Sequence, residues 1–308
     1  MGRIRLAMIG LGKIARDQHV PALAGDERFA LVATVDPREG LGDVPHFKDF
    51  DALVASGVAV DAVTLCTPPQ ARATLAAAAI AQGWHVFLEK PPAATLAGLA
   101  VLDAAAEAAG VTLFAAWHSR EAPMVAAARE WLATRPLASA EIVWREDVRR
   151  WHPGQAWLWA PGGLGVFDPG INAFSILTDI LPAPILVTQA RLALPENAHA
   201  PIAAQLTLQS GGARLSVDLD FLQQGPQSWD MRFTTTGGET LTLGAGGGTL
   251  RRGDGPEERA PEREYARLYD RFATLIAAGA RDADGAPLRI VADALLIAEQ
   301  VRVEPFLP

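Results

Sequence analysis

Cysteine occurs once in the chain, as Cys66, so no intrachain disulfide can form. That usage fits a reducing compartment and sets the expectation of a cytoplasmic protein. Long apolar runs are missing too. No stretch approaches the roughly 18 residues needed to cross a bilayer, and the Ala-rich segment 75–80 is far too short. Arg3 and Arg5 precede an apolar stretch as in a leader, but Lys13 interrupts it, so neither an export signal nor a membrane partner is expected. A basic surplus is also absent. With 27 Lys and Arg against 35 Asp and Glu, the formal net charge is −8. Nucleic acid needs a basic footprint that displaces counterions, so no nucleic-acid partner is expected. The six histidines are scattered, with no His-x-x-x-His and no cysteine pair, and no metal site is expected. Repeats and low-complexity linkers are absent.

What is present is ample core. Half of the 308 residues are hydrophobic and a fifth are charged, a globular composition at a length that suggests two domains. In the first part, apolar runs alternate with helical segments. The runs are Ile4–Ile9, Leu31–Val35, Ala62–Cys66, Trp84–Leu88 and Val111–Ala116. This predicts an α/β fold with a doubly wound parallel sheet over residues 1–118, a Rossmann-type dinucleotide-binding domain. The pattern then changes. Runs at Glu141–Val148, Leu186–Leu194, Ala203–Gln209, Ala213–Phe221 and Trp229–Thr236 have no helix between each pair. Glycine pairs and the Gly244–Gly248 stretch read as turns, which predicts a mainly antiparallel open sheet in an α+β domain over 119–308. Amphipathic helices are expected at Glu264–Ala278 and Pro287–Val303.

The first run ends in Gly10-Leu11-Gly12-Lys13-Ile14-Ala15, a G-x-G-x-x-A turn. The first glycine permits the tight turn, the second lets backbone approach a pyrophosphate, and the small third residue lets helix pack on strand. Gly10, Gly12, Lys13 and Ile14 are therefore candidate cofactor contacts. Asp36, at the end of the second run, suits ribose hydroxyls and favours NAD. Arg38, two residues on, would accept the extra phosphate of NADP. Lys90 follows the Trp84–Leu88 run, and carboxyl ends of strands face the ligand crevice in open α/β sheets. Asp168 and Asn172 stand four apart and so share a helix face, with the helix itself read from Ala173 to Leu181. Asp168 as a helix N-cap is the structural alternative. His118, Glu146 and His152 offer partners for paired hydroxyls, and Trp151, Trp157 and Trp159 crowd one segment. His46, His85 and His199 read as structural or surface.

The dinucleotide turn, Thr67-Pro68-Pro69, Glu89-Lys90-Pro91 and Asp168-Pro169-Gly170-Ile171-Asn172 occur together and in order. That set resembles the Gfo/Idh/MocA oxidoreductase family over the whole chain. Gly12–His19, Glu146–Gln155 and Gly162–Asn172 further resemble the aldose 1-dehydrogenases within it. The resemblance implies oxidation of C1 of a pyranose of the L-arabinose, D-galactose or D-fucose type to an aldonolactone. It implies Lys90 as a catalytic lysine, with Thr67, Pro68, Glu89 and Trp159 near the cofactor and Trp151 and Trp229 on the sugar. It also implies a homo-oligomer, a dimer or tetramer. The family's common closing histidine is replaced here by Asn172. An amide takes up no proton at neutral pH, so Asp168 becomes the expected base, assisted by Lys90, with Asn172 orienting the sugar and His152 the runner-up base. Another sugar or inositol oxidoreduction, or a non-catalytic sugar and NAD sensor, are the competing readings.

Overall fold

The computed structural model describes residues 2–307. The chain divides into two compact units, Met1–His118 with Tyr265–Gly285, and Ser119–Glu264 with Ala286–Pro308. In the first unit, β1 (Ile4–Ile9), β2 (Phe29–Val35), β3 (His46–Phe47), β4 (Ala62–Leu65), β5 (His85–Glu89) and β6 (Leu113–Ala116) form one sheet in the order β3-β2-β1-β4-β5-β6. Every pairing is parallel. A π-turn at Ala15–His19 runs into α1 (Val20–Ala24), and α2 (Phe50–Ala55), α3 (Pro69–Ala81) and α4 (Leu96–Ala109) complete the crossovers. β4 and β6 are buried at every position, which is why these strands read as unbroken apolar runs rather than alternating ones. The strand order reverses between β1 and β4, and it is outside the carboxyl ends at such a switch point that ligands bind.

The second unit carries α5 (Val125–Ala133), β7 (Leu137–Arg145), α6 (Val148–Trp151), α7 (Phe167–Ile180), β8 (Ile185–Pro195), β9 (Ala203–Ser210), β10 (Ala213–Asp220), β11 (Ser228–Thr235), β12 (Thr240–Gly244), β13 (Thr249–Arg252) and β14 (Glu257–Arg259). The chain then forms α8 (Glu264–Ala278), α9 (Ala286–Ile297) and β15 (Glu299–Val303). The nine strands run in the order β14-β13-β12-β11-β7-β10-β9-β8-β15. Pairing is antiparallel except where β10 meets β7 and β15 meets β8. The Gly244–Gly248 stretch is a short turn between β12 and β13, as its composition suggests. β10 shows the one-sided pattern of such sheets: Ala213, Leu215, Val217 and Leu219 are buried, while Arg214 and Ser216 are exposed. α7 packs on β7 and α9 on β8.

Two expectations are corrected. The domain boundary after His118 is where the chain leaves the first unit, but residues 119–308 are not one continuous domain, because α8 belongs to the first unit from Tyr265 onward. Its stripe Tyr265, Leu268, Tyr269, Phe272 and Leu275 packs with Leu6, Phe29, Phe87 and Phe114 of the parallel sheet. Periodicity reveals that a helix has an apolar face, not which sheet that face covers. The helix expected over Pro287–Val303 ends at Ile297, and Glu299–Val303 is instead an edge strand parallel to β8. Leu295-Leu296-Ile297 prolongs the apolar run and hides the boundary, while Val301 and Val303 alternate with Gln300 and Arg302 at strand period.

Candidate active site

At the end of β1, Gly10 has φ +88°, and a Cβ there would lie 3.0 Å from Thr67 Cγ2 and 3.1 Å from the Cys66 carbonyl carbon. Only glycine accepts both the left-handed backbone and the close approach of the β4–α3 loop. At Gly12 a Cβ would meet nothing within 4 Å, so the space beside that backbone is open. Ala15 is fully buried, as the small third position requires. A cavity of about 470 Å³ opens here, walled by Gly10, Gly12, Asp36, Arg38, Thr67 and Pro68 among others. Asp36 Oδ2 accepts the Leu11 N–H at 2.9 Å and its Oδ1 accepts the Arg38 N–H at 2.9 Å. Partial burial pushes its pKa up, but the N–H groups of Leu11, Arg38 and Glu39 and the Arg38 charge outweigh this and hold it below the usual carboxylate range. Thr67 Oγ1 is buried in the same wall and has no hydrogen-bond partner, an unmet polar group of the kind a ligand satisfies. The residues present therefore fit a dinucleotide. Lys13 and Ile14 stand outside this wall, and Lys13 Nζ pairs with Asp17 one turn on.

Lys90 follows β5 and is half-buried, and its N–H donates to Glu89 Oε2 at 2.9 Å. Glu89 itself is 3% exposed, and its Oε1 meets His19 Nε2 at 2.9 Å and the Tyr265 hydroxyl at 2.8 Å. His19 Nδ1 lies 2.8 Å from the Tyr269 hydroxyl, which in turn sits 3.2 Å from Thr64 Oγ1. Burial alone would raise the Glu89 pKa, but the His19 hydrogen bond and charge, His118 and the Tyr265 hydroxyl pull it down to about 2. The Glu89 carboxylate is turned inward and bonded to His19 and Tyr265, which makes it a support for the strand end that precedes Lys90. His118 stacks on Tyr265 with ring centroids 5.7 Å apart.

The second unit assembles its own polar cluster. α7 begins at Phe167, not at Ala173 as its sequence suggests, so Asp168 lies within its first turn and is not the N-cap, a position held by Val166. Pro169 is tolerated because the first turn needs no N–H from it. At Gly170 a Cβ would lie 2.6 Å from Leu219 Cδ1, so glycine there lets α7 close onto β10. Asp168 is 4% exposed, and its Oδ2 lies 3.8 Å from His152 Nδ1. His152 Nε2 sits 2.9 Å from Glu146 Oε1, while Glu146 Oε2 accepts the Trp229 Nε1–H at 2.9 Å. Trp151 packs edge-on against Trp229 with centroids 5.3 Å apart and stays 37% exposed. Asp168, His152, Glu146, Trp229 and Trp151 are thus brought together. Asn172 is half-buried one turn along α7, and Trp159 packs between Phe221 and Phe306.

Residues 4–117 match the Gfo/Idh/MocA oxidoreductase family, which has an NAD-binding Rossmann fold. Galactose 1-dehydrogenase of Pseudomonas fluorescens is 44% identical over 308 residues, covering 99% of each chain. The chain belongs to the Gfo/Idh/MocA oxidoreductase family. Among solved structures, D-galactose-1-dehydrogenase from Rhizobium etli superposes with a TM-score of 0.95 at 47% identity, covering 100% of this chain and 99% of that one. A 3-ketoreductase from Actinomadura kijaniata, solved with TDP-benzene and NADP in an open conformation, shares the fold with a TM-score of 0.82 at 18% identity, over 98% and 99% of the two chains.

In this oxidoreductase the sequence reading missed the groups behind Lys90. His19 and Tyr269 lie 250 positions apart yet meet in the core. Arg72 of α3, only 3% exposed, donates to the carbonyls of Thr67, Glu89 and Pro91. It ties the loop after β4 to the loop after β5. A lone arginine within the Ala-rich 70–81 segment was the available signal, since an arginine seldom stays buried without dedicated acceptors.

Proposed function

We infer that this oxidoreductase is an NAD(P)-dependent aldose 1-dehydrogenase acting on a pyranose of the D-galactose type and forming the aldonolactone. The observation that carries the reading is the whole-length similarity, at 44% identity, to a galactose 1-dehydrogenase. The second unit supports it with a side-chain cluster suited to sugars, in which buried carboxylates and an imidazole stand beside exposed indole. L-Arabinose and D-fucose share the C2 to C4 configuration of D-galactose and belong to the same substrate class.

When bound, the dinucleotide supplies the acceptor for the C1 hydride. The Gly10–Gly12 turn, Thr67 and Asp36 would hold it, Asp36 by accepting from ribose hydroxyls, and Arg38 would admit NADP. Asp168 takes the C1 hydroxyl proton, a role a buried carboxylate beside an imidazole can fill. Lys90 stabilises the charge developing on oxygen. Asn172, with an amide that both donates and accepts, orients the sugar, and Trp151 and Trp229 give it an aromatic wall. His118 is a further hydroxyl partner. The enzyme works in the cytoplasm as a homo-oligomer that covers the polar open face of the nine-stranded sheet, and light scattering of the purified protein reads its mass.

The test is reduction of NAD or NADP followed by absorbance with D-galactose, L-arabinose, D-fucose, D-xylose, D-glucose and myo-inositol. Turnover with the first three alone is expected, and Lys90→Ala should lower kcat by about 10²–10³-fold. Turnover with myo-inositol only, or with none of the six despite NAD binding, would overturn the reading.

A further inference from the structure

We propose that His152 carries the substrate proton away from Asp168, its tautomer fixed by Glu146 and Trp229. The proposal rests on the aldose-dehydrogenase reading and adds a route for the proton that reading releases. The argument begins at β11. Trp229 Nε1–H can only donate, and its acceptor is Glu146 Oε2 at 2.9 Å. The other Glu146 oxygen lies 2.9 Å from His152 Nε2. A carboxylate accepts and does not donate, so Nε2 carries the hydrogen and the neutral ring keeps its lone pair on Nδ1. Nδ1 is the nitrogen that faces Asp168 Oδ2, at 3.8 Å. That separation is longer than a hydrogen bond, and catalytic contacts of this kind tighten when substrate binds.

Exposure sets the direction of travel. The side chains of Asp168 and Glu146 are 5% and 6% exposed, against 16% for His152, so the imidazole is the member of the three that reaches water. As the C1–O bond becomes a carbonyl, the hydroxyl O–H breaks and its proton moves to Asp168. The Asp168 O–H then breaks as an N–H forms at His152 Nδ1, and the imidazolium returns a proton to solvent. Asp168 is left ionised for the next turnover. One aldose and one oxidised dinucleotide give one lactone, one reduced dinucleotide and one proton. Glu146 is in this account a positioning residue, comparable in logic to the carboxylate that fixes the histidine tautomer in a hydrolase triad.

Glu146→Gln tests the tautomer without changing shape. The Trp229 N–H needs an acceptor, so the Gln carbonyl faces Trp229 and its amide NH₂ faces His152 Nε2. That arrangement moves the imidazole hydrogen to Nδ1 and removes the proton acceptor facing Asp168. The expected result is a fall in kcat of about 10–100-fold with KM for the aldose within about threefold. His152→Ala should fall by a similar factor, and added imidazole should restore part of its kcat. A raised KM with unchanged kcat would make both residues sugar ligands and overturn the relay, and so would a His152→Ala loss that imidazole does not touch. If His152→Ala fails to fold, the isosteric Glu146→Gln still decides. A wild-type chain inert with every aldose removes the reading beneath the relay. An active wild type whose variants keep full kcat removes the relay alone.

Discussion

Single residues set the chemistry of the first unit through what they are made to touch. Asp36 is held by two backbone N–H groups on the cavity wall, and in the proposed cofactor site its negative charge would oppose the 2′-phosphate of NADP. Asp36→Asn should therefore raise kcat/KM for NADP relative to NAD by at least about tenfold, since a removed charge repulsion of about 1.4 kcal/mol is tenfold in an equilibrium. Fluorescence titration with NADPH and NADH reads the same shift without turnover. Glu89 lies beneath Lys90 with a pKa of about 2 against an ordinary 4.5. A carboxyl depressed on folding binds fewer protons in the native state. Its contribution to stability is present above pH 4.5 and is lost as pH falls towards 2. Glu89→Gln should lower the melting temperature at neutral pH, and the gap to wild type should narrow between pH 5 and pH 3. A gap that stays constant over that range would contradict the ionised, His19-bonded state.

Elements decide where those residues stand. α8 lays Phe272 between Phe29, Phe87 and Phe114, at ring separations of 6.2, 5.5 and 6.1 Å. Phe272 is fully buried, so Phe272→Ala should cost about 3–5 kcal/mol in chemical denaturation. The same helix supplies Tyr265 and Tyr269 to the Glu89–His19 cluster, so its loosening should reach the Lys90 loop as well. Five of the six strands of the parallel sheet were readable from alternating apolar runs, because β-strands buried on both faces leave so plain a pattern, whereas the two-residue, half-buried β3 leaves none. The start of α7 was not. Asp168-Pro169-Gly170 looks like a loop by propensity, yet proline is harmless in a first turn and Gly170 is demanded by Leu219. β12, β13 and β14 were passed over as separate strands for a related reason, since short strands rich in Thr, Arg and Glu have little apolar signal.

At the scale of the whole molecule, the chain leaves its first unit after His118 and comes back at Tyr265. One face of the parallel sheet is covered by a helix that is encoded between β14 and α9 of the second unit. Residues 1–118 alone should then expose Phe29, Phe87 and Phe114 and aggregate, whereas 1–118 joined by a flexible linker to 264–285 should give a soluble unit. Circular dichroism and NADH titration of the two fragments check this. Equal solubility and cofactor binding would show that α8 is dispensable to the unit.

By itself the sequence determined the doubly wound first half, the cofactor turn, Asp36 and the position of Lys90 at a strand end. Each depends on neighbours within a few residues, where period and turn chemistry are local. The resemblance of its longer motifs determined the family. Only the tertiary structure decided that Glu89 points into the core rather than towards a ligand, and that α8 belongs to the first unit. It alone placed Arg72 across two loops, and it alone joined Asp168, His152, Glu146 and Trp229 into one chain of contacts. Those outcomes depend on partners up to 250 positions distant, and no local pattern records which buried polar groups will find each other.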